Sequence, residues 1–253
     1  GPAGLQAAWI LAKRGHKVTV FEKEKTAGGQ YRLAAVPAMK QELSKTISTY
    51  LTFCQMYGAA VRYGVKADRE LLEREGFDEV ILACGAVPIV PGIPGIKQEN
   101  VYLANDVLGF KVRLENQKVL VLGAGLVGAE AAEVLSGYGN KVTLADMLDK
   151  AAPLAPARPR ENLLSHLDRL GVKFQLNSKV LEIMPDGIRF EKDGEEGRLT
   201  GFSSIVLAFG SRPDTALWEE LSGKEGVYRI GDALKAGDAK KGIYEATKLA
   251  LEL

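Results

Sequence analysis

The chain has 253 residues, enough for one large or two medium domains with proper cores. Lys and Arg number 33 against 32 Asp and Glu, a net charge of +1, with no basic block of the kind that binds nucleic acid and no acidic tail. Cys54 and Cys84, like His16 and His166, stand apart in sequence; this argues against zinc, an iron–sulfur cluster or a CxxC redox pair within the chain and sets a reducing, cytoplasmic setting as the expectation.

In chain order, residues 4–14 carry Leu5, Ala8, Leu11 and Ala12 at helical spacing and predict a helix stopped by Gly15. Residues 17–22 alternate into a strand, 26–30 form a glycine turn, 39–57 a helix, and 61–65 and 79–83 short strands. The uncharged run 80–96 contains Pro88, Pro91 and Pro94, so it reads as a connection and not as a membrane helix. A new unit opens near Asn116: strand 118–122, helix 125–138, strand 141–146, helix 160–170 and strand 172–175. A hairpin over 180–184 and 187–191 and a strand over 204–208 close it. Strand 227–230 then leads through Gly231-Asp232 to a last helix from about Gly242. Strand–helix–strand order, met twice, predicts parallel sheets with right-handed crossovers.

The two halves repeat. At an offset of 124 (125 − 1), Gly1 and Gly4 fall on Gly125 and Gly128, and Ala7, Ala8, Leu11 and Gly15 recur as Ala131, Ala132, Leu135 and Gly139. Lys17-Val18-Thr19 recurs as Lys141-Val142-Thr143, and Glu22 falls on Asp146. At an offset of 125 (206 − 81), the run from Ile81 to Pro88 is echoed from Val206 to Pro213, with Cys84 over Phe209 and Gly85 over Gly210. Nothing aligns with Gly123. The first copy is therefore read as a fragment that starts at its second glycine and lacks its first strand.

Gly123-Ala124-Gly125-Leu126-Val127-Gly128 follows a predicted strand, opens a predicted helix, and has Asp146 18 positions after its last glycine (146 − 128). The first glycine permits the tight turn, the second lets backbone amides approach a pyrophosphate, and the third lets helix pack on strand. The helix N-terminus offers unpaired N–H groups and a positive dipole end to the phosphates. Asp146 is expected to accept the ribose hydroxyls. It would repel a 2′-phosphate, and Met147 and Leu148 supply no arginine, so NADH is expected over NADPH unless Lys150 or Arg158 folds back. Glu22 stands in the same relation to Gly4 (22 − 4 = 18), and Gly28-Gly29-Gln30 again brings backbone close to something. Asp232 is placed to hold a flavin's ribityl hydroxyls, with the helix N-terminus near Gly242 facing the flavin's pyrimidine edge. Cys84, with no base or second cysteine near it in sequence, is expected to be a buried structural thiol. No catalytic side chain is assigned; His16 and His166 are read as surface or helix-side residues.

These motifs (GPAG with Glu22, GGQ at 28–30, LACGAVP at 82–88, GAGLVG at 123–128, LAFGSRP at 207–213, IGD at 230–232) resemble the flavoproteins with two dinucleotide-binding domains. Within them, the stretch from Phe21 to Leu43 is similar to the C-terminal region of the NADH:flavin oxidoreductases typified by 2,4-dienoyl-CoA reductase, enoate reductases and trimethylamine dehydrogenase. The resemblance implies an α/β fold of two Rossmann-like, glutathione-reductase-like domains, the second inserted in the first. Residues 1–107 with 213–253 would bind FAD or ADP, and 116–212 NAD(P)H. It implies an FAD site of Gly1, Ala3, Gly4, Glu22, Lys23, Gly28, Gly29, Gln30, Cys84, Gly85, Gly231 and Asp232. The NADH site would hold Gly123, Gly125, Leu126, Val127, Gly128, Asp146, Met147, Phe209 and Gly210.

Hydride would pass from NADH to FAD, then onward to the iron–sulfur cluster and FMN of an upstream TIM barrel that this sequence does not contain. Two other expectations stand beside it: a stand-alone NADH:acceptor reductase, and a non-catalytic module holding ADP, as in the trimethylamine dehydrogenase branch. The absence of a CxxC argues against disulfide substrates. The final acceptor and any homo-oligomer stay open.

Overall fold

A computed structural model describes residues 1–253. Two compact units divide the chain: 1–87 with 211–253, and 88–210.

In the first unit, α1 (Pro2–Lys13) starts with proline in its first turn, where no amide partner is needed. It runs to Gly15, whose φ of +101° ends the helix. β1 (Thr19–Glu22), α2 (Gln30–Ala34), α3 (Leu43–Tyr57) and β2 (Ala60–Tyr63) follow. α4 (Arg69–Glu75) is capped by Asp68, which accepts the Leu71 amide at 2.8 Å. β3 (Val80–Leu82) and β4 (Ala86–Pro88) come next.

The second unit contains β5 (Val101–Leu103), α5 (Ala104–Leu108), β6 (Lys118–Leu122), α6 (Leu126–Gly137), β7 (Lys141–Ala145), α7 (Ala157–Arg169) and β8 (Lys173–Gln175). It goes on through β9 (Lys179–Met184), β10 (Gly187–Lys192), β11 (Glu195–Thr200) and β12 (Ser204–Leu207). The chain then returns to the first unit as β13 (Ser211–Pro213), α8 (Ala216–Leu221), β14 (Val227–Arg229) and α9 (Ala239–Glu252).

The second unit is built on a five-stranded parallel sheet in the order β5-β12-β6-β7-β8. Its centre, β6, is continuously apolar from Val119 to Leu122 and fully buried, as a strand covered on both faces must be. β9, β10 and β11 form a separate antiparallel sheet. Ile183 and Ile188 from it join Leu120, Leu122, Ile205 and Leu207 in one apolar core.

Residues 88–107, which the sequence reading placed with the first domain, pack in the second unit. The reason is hydrogen bonding: β5 pairs with β12, and the Pro94 carbonyl accepts the Ile183 amide at 2.8 Å.

In the first unit the parallel pairs are β1 with β2 and β3 with β14, while β4 pairs with β13. Thr19 stands opposite Ala60 as Thr143 stands opposite Lys173, so β1 matches β7; at the second offset β3 matches β12. Between β7 and β12 lies β6, paired to both. Between β1 and β3 there is no shared strand. α1 packs Leu5, Ala8 and Ala12 against Ile47 and Cys54, and Ala7, Ile10 and Leu11 against Ile230, Ala246 and Ala250.

Cys84 is not the buried thiol expected from sequence. It is exposed, in the segment between β3 and β4. Cys54 is the buried one, at 1% exposure, and burial pushes its thiol up. The expected helix over 39–57 is broken in two: residues 38–40 form a 3₁₀ turn, and α3 begins at Leu43.

Candidate dinucleotide sites

At the second unit's glycine turn, the three glycines occupy different environments. Gly123 adopts φ +104°, and a Cβ there would lie 2.4 Å from the Ala208 carbonyl oxygen. A Cβ on Gly128 would lie 1.9 Å from the Gly123 carbonyl oxygen and 3.1 Å from the Ala208 methyl. Gly125, the N-cap of α6, has nothing within 4 Å of where a Cβ would stand. Two glycines are therefore demanded by the protein's own packing. The third is glycine at a place the protein leaves open, at the amide-bearing end of a helix, as a pyrophosphate approach requires.

Ala124, between the glycines, is gripped at both its polar groups. Its N–H is accepted by Asp146 Oδ2 at 2.5 Å, and its carbonyl accepts the Ala152 amide at 2.6 Å. Asp146 also accepts the Leu148 amide on Oδ1 at 2.8 Å. Ala152 takes a left-handed φ of +45° while fully buried, and Arg160 Nε bonds the neighbouring Ala151 carbonyl at 2.7 Å. The segment after β7 is thus stapled to the glycine turn. Each Asp146 oxygen keeps a free lone pair, so the carboxylate can hold the turn and accept from a ribose together. Met147, Leu126 and Val127 are exposed at this end of the unit, and Phe209 follows Ala208 beside Gly123.

The first unit reproduces the arrangement at α1. A Cβ on Gly4 would meet the Ala83 methyl at 3.0 Å, against 3.1 Å for Gly128 and Ala208, while Gly1 has open space. Glu22 Oε1 accepts the amide of Glu24, two residues on, as Asp146 does that of Leu148, and its Oε2 lies 4.0 Å from the Gly1 nitrogen. A Cβ on Gly29 would come within 3.6 Å of the Gly1 Cα, and one on Gly231 within 3.1 Å of the Ala3 methyl. Gln30 anchors its own segment by donating Nε2–H to the Ala86 carbonyl at 2.5 Å, and the Gly85 carbonyl accepts the Asp214 amide at 3.0 Å.

Gly1, Ala3, Gly4, Glu22, Gly29 and Gly231 accordingly converge on one helix start. Lys23 and Cys84 border it: Lys23 acts on the Cys84 thiol, which desolvation and then the Asp214 carboxylate push up. Gly28, by contrast, packs inward against Arg32 and Ile47. Asp232 accepts the Gly237 amide at 3.0 Å, and its carboxyl is pushed up by burial and by the nearby carboxylates of Glu245 and Asp238.

Sequence reasoning missed Ala83 and Ala208 as the surfaces that demand Gly4 and Gly128, and Glu245, whose Oε2 accepts the Gly231 amide at 3.0 Å. The echo of the LACG and LAFG segments was the available signal for the alanines. Glu245, 14 residues from Gly231, left none. His166 Nε2 lies 3.6 Å from Glu133 Oε1, a buried oxygen with no hydrogen bond.

The chain is 34% identical over 259 residues to NADH oxidase from Thermoanaerobacter brockii, matching all of this chain and 40% of that protein. It is 33% identical to bilirubin reductase from Mediterraneibacter gnavus, matching 97% of this chain and 38% of that one. It spans about two fifths of the length of these curated relatives. Among solved structures, it superposes on a 2-naphthoyl-CoA reductase complex with a TM-score of 0.95 at 25% identity, over all of this chain and 38% of that one. Histamine dehydrogenase from Rhizobium sp. 4-9 shares the fold, with a TM-score of 0.89 at 21% identity over all of this chain and 40% of that one. Residues 1–247 match the family described as pyridine nucleotide-disulphide oxidoreductase, and the chain belongs to that family of FAD- and NAD(P)H-binding enzymes.

Proposed function

We propose that this chain is the module of a larger reductase that takes a hydride from NADH and passes it to FAD. Unit 88–210 is the NADH unit, with Gly125, Leu126 and Val127 facing the pyrophosphate, Asp146 and Met147 the adenosine ribose, and Phe209 and Gly210 beside them. Unit 1–87 with 211–253 is the FAD unit, with Gly1, Ala3 and Gly4 at the pyrophosphate. Glu22 takes its adenosine ribose and Asp232 its ribityl chain. The observation that carries this reading is the doubled geometry: an open glycine at each helix start, a packed glycine three residues on, and a carboxylate at the end of the next strand.

When bound, FAD supplies the acceptor for the hydride. The chain's own residues bind, orient and exclude water; none is asked to move a proton. Asp146 supports NADH over NADPH, since a carboxylate tied to two amides cannot swing away from a 2′-phosphate. The relatives' names, a bilirubin reductase and a cinnamate reductase among them, support different final acceptors served by one electron-entry module. Here the electrons would continue to the iron–sulfur cluster and FMN of an adjoining TIM barrel.

The test is anaerobic: chain loaded with FAD is mixed with NADH and its flavin absorbance followed. Bleaching by NADH, slower with NADPH, supports the reading. A colourless protein that holds ADP and refuses FAD would overturn it in favour of a structural nucleotide module.

A further inference from the structure

On the first unit, a shallow, open cavity of about 390 Å³ lies on the surface between α8, β14 and the C-terminal half of α9. Arg229, the last residue of β14, lies in it, with its guanidinium carbon 4.3 Å from the ring centroid of Trp218. The side chain is half-buried, and none of the protein's hydrogen bonds or ion pairs uses it.

Stacking on an indole satisfies the face of a guanidinium and leaves its N–H edges unserved. Those edges face an open hollow, and the acceptor that fits a planar fork is a carboxylate. The carboxylates of the wall already have partners of their own, one of them Lys248 of the same wall. Glu245 takes the Gly231 amide and stands 3.7 Å from Lys241 Nζ; Glu252 stands 3.7 Å from Lys248 Nζ. The rest of the wall includes Leu234 and Leu249, a surface for an apolar body.

We propose that this cavity binds a small organic carboxylate with a flat apolar body, its carboxylate forked by Arg229 and its body laid against Leu234 and Leu249. The site is distinct from the proposed nucleotide sites, yet it lies next to one of them in sequence, since Arg229 ends β14 and Ile230, Gly231 and Asp232 follow in the turn after it.

The probe is benzoate, titrated by calorimetry into the full chain saturated with ADP and NADH, so that both nucleotide sites are filled. Saturable binding at one site is expected. Arg229→Ala should weaken it by about tenfold or more, the usual cost of losing a charge-assisted fork. Arg229→Lys, which keeps the charge and loses the fork, should fall between, and it carries the test if the alanine variant does not fold. Benzyl alcohol, lacking the charge, and inorganic phosphate, lacking the apolar body, should each bind more weakly than benzoate. In a Trp9→Phe background, benzoate should also change the fluorescence of Trp218. The proposal is overturned by failure to saturate, by equal affinity in both Arg229 variants, or by phosphate binding as well as benzoate.

Discussion

Asp146 and Ala124 are joined by a hydrogen bond of 2.5 Å, from the amide inside the glycine turn to the carboxylate at the end of the next strand. Ala124 is fully buried, so that amide has no water to fall back on. The residue expected to choose the nucleotide is also part of the turn proposed to receive it.

Asp146→Ala should therefore do two things. Leaving a buried amide unserved should lower the unfolding free energy by about 2 kcal/mol, read by urea denaturation without nucleotide. The ratio of kcat/KM for NADH to that for NADPH should shrink. An unchanged stability would mean the carboxylate does not hold the turn, and better use of NADPH by the unmodified protein would remove its role in selection.

Gly125 and Gly128 should respond oppositely to alanine. Gly125→Ala, with ordinary φ of −66° and open space, should fold with near-normal stability and lose NADH binding. Gly128→Ala meets backbone at 1.9 Å and should cost about 3 kcal/mol, a severe case of overpacking. Thermal melts with and without NADH separate the two. Normal NADH affinity in Gly125→Ala would show that no pyrophosphate comes there.

Asp232 offers a pH test. Its folded carboxyl is raised above the ordinary value of 3.8, so the folded state holds its proton longer than the unfolded chain does. Stability is then lost as pH rises from 3.8 through the raised value. Asp232→Asn, which can still accept from Gly237, should stabilise the nucleotide-free protein at neutral pH by about a few tenths of a kcal/mol, the scale solvent screening leaves. That gain should vanish below pH 3.8. The same variant should weaken FAD. Equal FAD affinity would separate Asp232 from the flavin, and a destabilised variant at neutral pH would contradict the sign.

Much of the fold was legible because its cause is local. β6 carries a run of apolar residues bounded by Lys118 and Gly123, and the predicted 118–122 matches the observed strand residue for residue. Gly15 and Gly139 stop their helices through left-handed backbone, which glycine announces in any sequence. β11 was missed because Glu195, Glu196 and Arg198 carry no apolar alternation, and the strand exists through its ladder with β10 and the bond from Arg189 to Glu196. β5 was missed because three residues carry no period, and its partner β12 lies about a hundred positions away.

The sequence by itself determined the family, the doubled α/β plan, and the glycines and carboxylates at each helix start, since spacing along one chain records the period of helices and strands. Only the tertiary structure decided which glycine is open and which is packed, that Asp146 is spoken for by two amides, that Cys84 is exposed, and that residues 88–107 belong to the second unit. Each of these depends on atoms brought together from distant segments, and contact across space leaves no fixed spacing in sequence.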